Sequence, residues 1–98
     1  MSSSPVSPGP LFACGQLLAT PAALDLLHQR GLSPLSLLAR HLRGDWGDLG
    51  ADDAHANDQA LRSSCRLLSR YDLPGGGTVW LITEADRSVT TVLRPEDY

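Results

Sequence analysis

An α+β domain, a helical hairpin plus a third helix packed on a three- to four-stranded antiparallel meander, is what three features of the sequence predict. Two β-branched and Trp-bearing runs meet at a short charged turn, Ala85-Asp86-Arg87-Ser88, within the stretch from Gly77 to Leu93. Two consecutive segments upstream each open on Ser or Thr followed by Pro and close on Gly. The hydrophobic fraction of 42% and charged fraction of 19% are those of an ordinary globular chain, and 98 residues suffice for one modest core.

Residues 1–10 carry four Ser and three Pro, too little apolar surface to offset the entropy of ordering, and read as a disordered leader before a single domain over 11–98. The leader has neither a basic nor an apolar region of the kind a secretory signal needs. Leu11 to Ala19 is an apolar run with a Gly inside, short enough for a strand at the edge of the later sheet, although Leu17-Leu18-Ala19 also suits a helix. Thr20-Pro21 starts the first helix and Gly31 stops it, with Ala23, Leu24, Leu26 and Leu27 as its apolar side. Ser33-Pro34 and Gly44 bound the second, where Leu35, Leu38 and Leu42 are expected to share a face. After the loop Gly44-Asp45-Trp46-Gly47-Asp48-Leu49-Gly50, Asp52-Asp53 open a third helix running to about Arg62, its carboxylates complementing the helix dipole.

Cys65 to Tyr71 reads as the next strand, Leu73 to Gly77 as a turn, and the run before Ala85 and the run after Ser88 as a hairpin. Pro95 ends the ladder. Alternation sends Trp80, Ile82 and Glu84 to one side of the sheet and Val79, Leu81 and Thr83 to the other. Both sets are largely apolar, so helices on one face leave the other free for a partner or a second copy of the chain.

Charge narrows the function. A net charge of −3, with Arg as the sole strong base type, gives no basic face for wrapping nucleic acid, so direct nucleic-acid binding is not expected. No apolar run approaches the ~20 residues that span a bilayer, and a cytoplasmic setting without membrane contact is the expectation. Cys14 and Cys65 stand apart without metal-ligand spacing and read as buried free thiols, with a disulfide and then a metal ligand as the alternatives.

Two stretches are candidate contact sites. Asp45, Trp46 and Asp48 form a loop with an amphipathic ring between carboxylates, which either presents that ring for recognition or folds it back as a lid on the core. Glu84, Asp86 and Arg87 form the hairpin tip, either a solvated turn or a contact point. An enzymatic alternative pairs Glu84 as base with Arg87 as phosphate-stabilising cation and His41, or else His55, as acid, in the manner of a small metal-independent ribonuclease of the barnase or RelE type. His28, His41 and His55 lack the spacing that puts two imidazoles on one metal, and Gly75-Gly76-Gly77 lacks the Lys and helix of a phosphate loop, so neither metal nor cofactor is expected.

Gly15 to Pro21, Gly44 to Leu49, Leu67 to Tyr71 and above all Trp80 to Ser88 with Thr90-Thr91-Val92-Leu93 and Pro95 resemble a family of small uncharacterised proteins carried on bacterial plasmids and integrative mobile elements. The resemblance implies a bacterial cytoplasmic setting and a part in mobile-element upkeep or interference with host defence; it carries no catalytic residue. The expected function is therefore a non-enzymatic binding or accessory protein acting through a protein partner or as a homo-oligomer. The alternatives are the ribonuclease and an acidic inhibitor of a nucleic-acid-binding defence complex, with Asp45, Asp48, Asp52, Asp53 and Asp58 imitating phosphates.

Overall fold

A computed structural model describes residues 9–98, so most of the leader lies outside the described residues. Its elements follow in the order β1 (Gln16–Ala19), α1 (Pro21–Gln29), α2 (Pro34–Leu42), α3 (Ala51–Ser63), β2 (Leu67–Asp72), β3 (Thr78–Thr83) and β4 (Val89–Leu93), closed by a 3-10 turn (Pro95–Asp97). The α+β class is as the sequence predicts.

Both Pro-led helices start where their caps dictate. The Thr20 hydroxyl accepts from the Ala23 N–H, and the Ser33 hydroxyl from that of Leu35. Ala23 and Leu27 of α1 are buried, whereas Leu24 is exposed. On α2 the buried face is Leu37, Leu38 and His41, and Leu35 points to solvent at 64% exposure, which corrects the expected Leu35–Leu38–Leu42 stripe. The face is rotated because His41 has polar partners inside the core.

The sheet order is β1-β4-β3-β2. Strands β2, β3 and β4 form the expected antiparallel meander, but β1 pairs parallel with β4, so the sheet is mixed and not purely antiparallel. A parallel neighbour needs a long crossover, and the helical segment between β1 and β2 supplies it. Gly15, with φ +64°, lies so close to the Ser88 backbone that a Cβ would overlap it, and Gln16 N–H donates to the Ser88 carbonyl at 2.9 Å.

Cross-strand register sorts the two faces. Leu67, Ser69 and Tyr71 of β2 stand beside Thr83, Leu81 and Val79 of β3, and Leu81 and Thr83 beside Val92 and Thr90 of β4. All eight are buried. They form the floor on which Ala23 and Leu27 of α1 and Leu37 and Leu38 of α2 pack; Trp46 and Ala60 cover Leu67 in an adjoining cluster with Phe12, Leu49, Ala54 and Leu61. Each fully buried Leu or Val here stabilises the fold by roughly 1.5–3 kcal/mol.

Candidate functional site

Among the described residues no α-helix packs on the opposite face of the sheet. Register aligns Leu68, Ile82, Thr91 and Leu18 in one row across the strands, and Arg70, Trp80 and Leu93 in the next. Ile82 and Leu93 are buried by their neighbours, Trp80 and Leu68 are half-buried, and Leu18 is 43% exposed. The 3-10 turn brings Tyr98 edge-on to Trp80, ring centroids 5.8 Å apart, with 72% of Tyr98 still exposed. Arg66 then bridges the Tyr98 hydroxyl at 2.9 Å and the Glu84 carboxylate at 3.2 Å, and Arg70 pairs with Asp72 at 3.1 Å. An apolar and aromatic centre is thus rimmed by solvent-screened ion pairs, which contribute little to stability.

The Asp45–Asp48 loop does not present its indole. Trp46 is only 6% exposed; it stacks on Phe12, meets His41 edge-on and donates its Nε1–H to Asp58 at 3.0 Å. The loop runs beside β2 as a short parallel bridge, with Arg70 N–H donating to the Trp46 carbonyl at 3.1 Å and Asp48 N–H to the Arg70 carbonyl at 2.6 Å. Gly47 makes this approach possible, since at φ +74° a Cβ there would overlap the Arg70 carbonyl and the Tyr71 ring. Asp48 accepts from Asp72 N–H at 2.8 Å, and Asp45 pairs with Arg40 at 2.7 Å, a contact that holds the Asp45 carboxyl below its ordinary range. Asn57 of α3 continues the seal along β2: its side-chain amide donates to the Leu68 carbonyl and its oxygen accepts from Leu68 N–H at 3.1 Å.

The hairpin tip is likewise tied inward. Arg87 adopts φ 62°, unusual for a side chain with a Cβ, and its guanidinium donates to the carbonyls of Cys65 at 2.6 Å and of Glu84 and Ala60 at 3.2 Å. It clamps the end of α3 to the turn. Asp86 accepts from the N–H and hydroxyl of Ser88, which lowers its pKa, and remains exposed, as Asx chemistry in a turn would have it.

Glu84, Arg87 and His41 do not converge on a cleft. Glu84 shares the open face with Trp80 and Ile82, while His41 lies wholly buried beneath the helices. Its Nδ1 bonds the Ser69 hydroxyl and its Nε2 the Thr83 hydroxyl at 2.9 Å. Thr83 in turn bonds Thr90 at 2.7 Å, and Thr90 donates to the Cys14 carbonyl at 2.8 Å. Because the Thr90 proton goes to that carbonyl, Thr83 must donate to Thr90 and accept from His41; the neutral imidazole is then the Nε2–H tautomer, with Nδ1 accepting from Ser69. Burial, with Arg87 nearby as a second cause, pushes His41 down from 6.5 to about 4. Sequence reasoning missed this chain, although hydroxyls at Ser69, Thr83 and Thr90 on the inward parity of three apolar strands announce a buried polar partner.

One concavity of about 340 Å³ lies between α1, the start of β3 and the 3-10 turn, lined by Asp25, Leu26, Gln29, Thr78, Arg94 and Glu96 among others. Its only strong base, Arg94, is bound to Asp97 at 2.8 Å, which in turn drives the Asp97 carboxyl far below its usual range. Among the described residues no group of three His, Cys, Asp or Glu side chains could hold a metal ion, and no helix is long and apolar enough to cross a membrane. No protein-family model, curated protein or solved structure matches this chain.

Proposed function

We propose that this chain is a non-enzymatic binding and accessory protein that works through protein–protein contact or self-association, with the helix-free sheet face around Trp80 as its contact surface. The observation that carries the reading is the geometry of that face: Trp80 and Tyr98 meet edge-on, Ile82 and Leu93 near them are buried, Leu18 is exposed farther out in the neighbouring row, and Arg and carboxylate pairs form the rim. Trp, Tyr and Arg in such a setting are the residues that dominate protein interfaces, because they bury large rigid surface at small entropic cost. Of the residues the sequence singles out, Glu84 belongs to this surface through Arg66, whereas Trp46 and Arg87 are occupied inside the fold. A part in the life of a bacterial mobile element rests on the sequence resemblance alone.

The ribonuclease alternative needs Glu84, Arg87 and His41 around one substrate, and Glu84 and His41 stand on opposite faces of the sheet. The acidic-mimic alternative loses Asp45, Asp48 and Asp58 to internal partners.

The test is site-directed photo-cross-linking in a native host extract, with the reactive group at Thr91 on the sheet face or at Asp53 on exposed α3. The expected product is a discrete partner captured from Thr91 alone, whose purified form binds a Trp80→Ala, Tyr98→Ala variant at least about tenfold more weakly than wild type. Capture only from Asp53, or equal affinity for a folded double variant, would refute the reading.

A further inference from the structure

The two edges of the sheet are treated in opposite ways. Along β2 five outward backbone groups have partners supplied by the rest of the chain: Asn57 takes the N–H and carbonyl of Leu68, the Trp46–Asp48 loop takes those of Arg70, and the Asp48 carboxylate takes the N–H of Asp72. Along β1 nothing comparable occurs among the described residues. Gln16 N–H bonds Ser88 and Thr20 N–H bonds Val92, both toward β4, so strand alternation turns the N–H and carbonyl of Leu17 and Ala19 to the outer edge. Among the described residues no hydrogen bond reaches them from outside the sheet.

Apart from its shortness, four residues, the strand carries none of the devices that keep an edge from pairing. Gln16-Leu17-Leu18-Ala19 has no charge, no Pro and no bulge, and Leu18 stands 43% exposed beside it on the open face. An extended backbone satisfies two N–H and two carbonyl groups alternating at strand spacing all at once.

We propose that β1 pairs antiparallel with β1 of a second copy of this chain, about a two-fold axis at Leu18. The second copy is favoured because the edge is complementary to itself. In this register Leu17 faces Ala19 of the second copy, each donating to and accepting from the other, and the two-fold repeats the exchange, leaving none of the four groups unpaired. Leu18 then meets its own symmetry mate at the close, non-hydrogen-bonded position on the open face. The product is one continuous sheet whose two Trp80 surfaces lie on the same side. This goes beyond the proposed function: it places self-association at the β1 edge and leaves the Trp80 face of each copy open to a protein partner.

The experiment is sedimentation equilibrium of the full chain from micromolar to millimolar concentration, paired with amide hydrogen exchange of the wild type at both ends of that range. The expected result is a reversible dimer in which Leu17 and Ala19 amides become protected as concentration rises. Leu18→Lys, a surface change whose fold is checked by circular dichroism, weakens the dimer at least about tenfold by setting like charges opposite each other, while Trp80→Ala leaves it intact. A chain monomeric at millimolar concentration overturns the inference, as does a dimer whose Leu17 and Ala19 amides still exchange freely. A dimer lost in Trp80→Ala but kept in Leu18→Lys overturns it in favour of the sheet face. Capture of a foreign partner through Thr91 by a monomeric chain would leave the proposed function standing without this joint.

Discussion

Acidification from pH 7 to pH 4 should remove a large and specific share of the stability of this fold through His41. The imidazole is fully buried between α2 and the sheet, walled by Phe12 at 5.2 Å and Trp46 at 5.6 Å between ring centroids, and bonded to Ser69 and Thr83. Its folded pKa is lowered from 6.5 to about 4, first by loss of solvent and then by the Arg87 charge. Because the folded value lies below the unfolded one, the unfolded chain takes the proton first as pH falls. The contribution is therefore whole above about pH 6.5, declines through the window down to about pH 4, and is then flat. At about 1.4 kcal/mol per pH unit the full loss is about 3 kcal/mol, with about 2 kcal/mol gone by pH 5. For domains whose whole stability is about 5–15 kcal/mol that is a major fraction. Urea unfolding at pH 7, 5.5 and 4.5, with NMR titration of the His41 ring, measures both sides of the linkage. A ring titrating near its ordinary value in the folded protein, or a midpoint that does not move across this window, refutes the reasoning. In His41→Leu the dependence above pH 4.5 should disappear, since the Asp carboxylates whose pKa values are lowered lose their protons below that range.

Further outcomes follow from the same contacts. The Nε2–H tautomer of His41 should be visible in its ring nitrogen shifts, and an Nδ1–H signature would contradict the assigned direction of the Ser69–His41–Thr83–Thr90 chain. Asn57→Ala should destabilise by about 2–3 kcal/mol in thermal melts, because it orphans both the N–H and the carbonyl of Leu68; a change under 0.5 kcal/mol would mean water replaces the side chain without penalty. Gly47→Ala should cost about 3 kcal/mol or more, combining a left-handed backbone with overlap on Arg70 and Tyr71, read as a fall in urea midpoint. Arg87→Gly relieves an unfavourable φ yet should still destabilise by roughly 1–2 kcal/mol, with faster exchange of the last amides of α3; a stabilised variant would show that the clamp is not what holds the turn.

Much of the architecture is legible in the residues because local rules act without competition there. Thr20-Pro21 and Ser33-Pro34 start helices for reasons internal to a few residues, and alternation in β3 separates Val79, Leu81 and Thr83 from Trp80 and Ile82 as burial later requires. Direction of pairing is another matter. Nothing within Gln16–Ala19 says that β1 runs parallel to β4; that follows from where the helical segment returns the chain. The rotation of α2 escapes for a similar reason, since hydropathy favours Leu35 over His41, and only the distant hydroxyls of Ser69 and Thr83 reverse the order. The candidate sites divide along the same line. Trp46 and Arg87 carry the composition of a contact surface, but a tertiary partner claims each: Asp58 and Phe12 for the indole, three carbonyls for the guanidinium. Trp80 and Tyr98 claim only each other and the Arg66 guanidinium among the described residues, and Tyr98 stays 72% exposed.

The buried polar chain explains why a sheet this small holds one register. Ser69, Thr83, Thr90 and His41 are all fully buried, and apolar residues of like volume would leave the core no less stable by transfer free energy alone. Their effect lies in what they forbid. A one-residue slip of β2 or β4 against β3 turns a hydroxyl outward and leaves an imidazole nitrogen or a threonine unpaired in the core, at about 1–3 kcal/mol for each orphaned group. The native register orphans none among the described residues. Thr90 extends the constraint beyond the meander by donating to the Cys14 carbonyl just before β1, so the segment that presents the bare edge is held by the same chain of hydrogen bonds that positions α2. Protonating His41 would then disturb helix packing and edge presentation together. If β1 is the joint between two copies, dimerisation should weaken over the same pH window in which the fold loses stability, and a dimer indifferent to pH between 6.5 and 4.5 would show that the edge is positioned independently of His41.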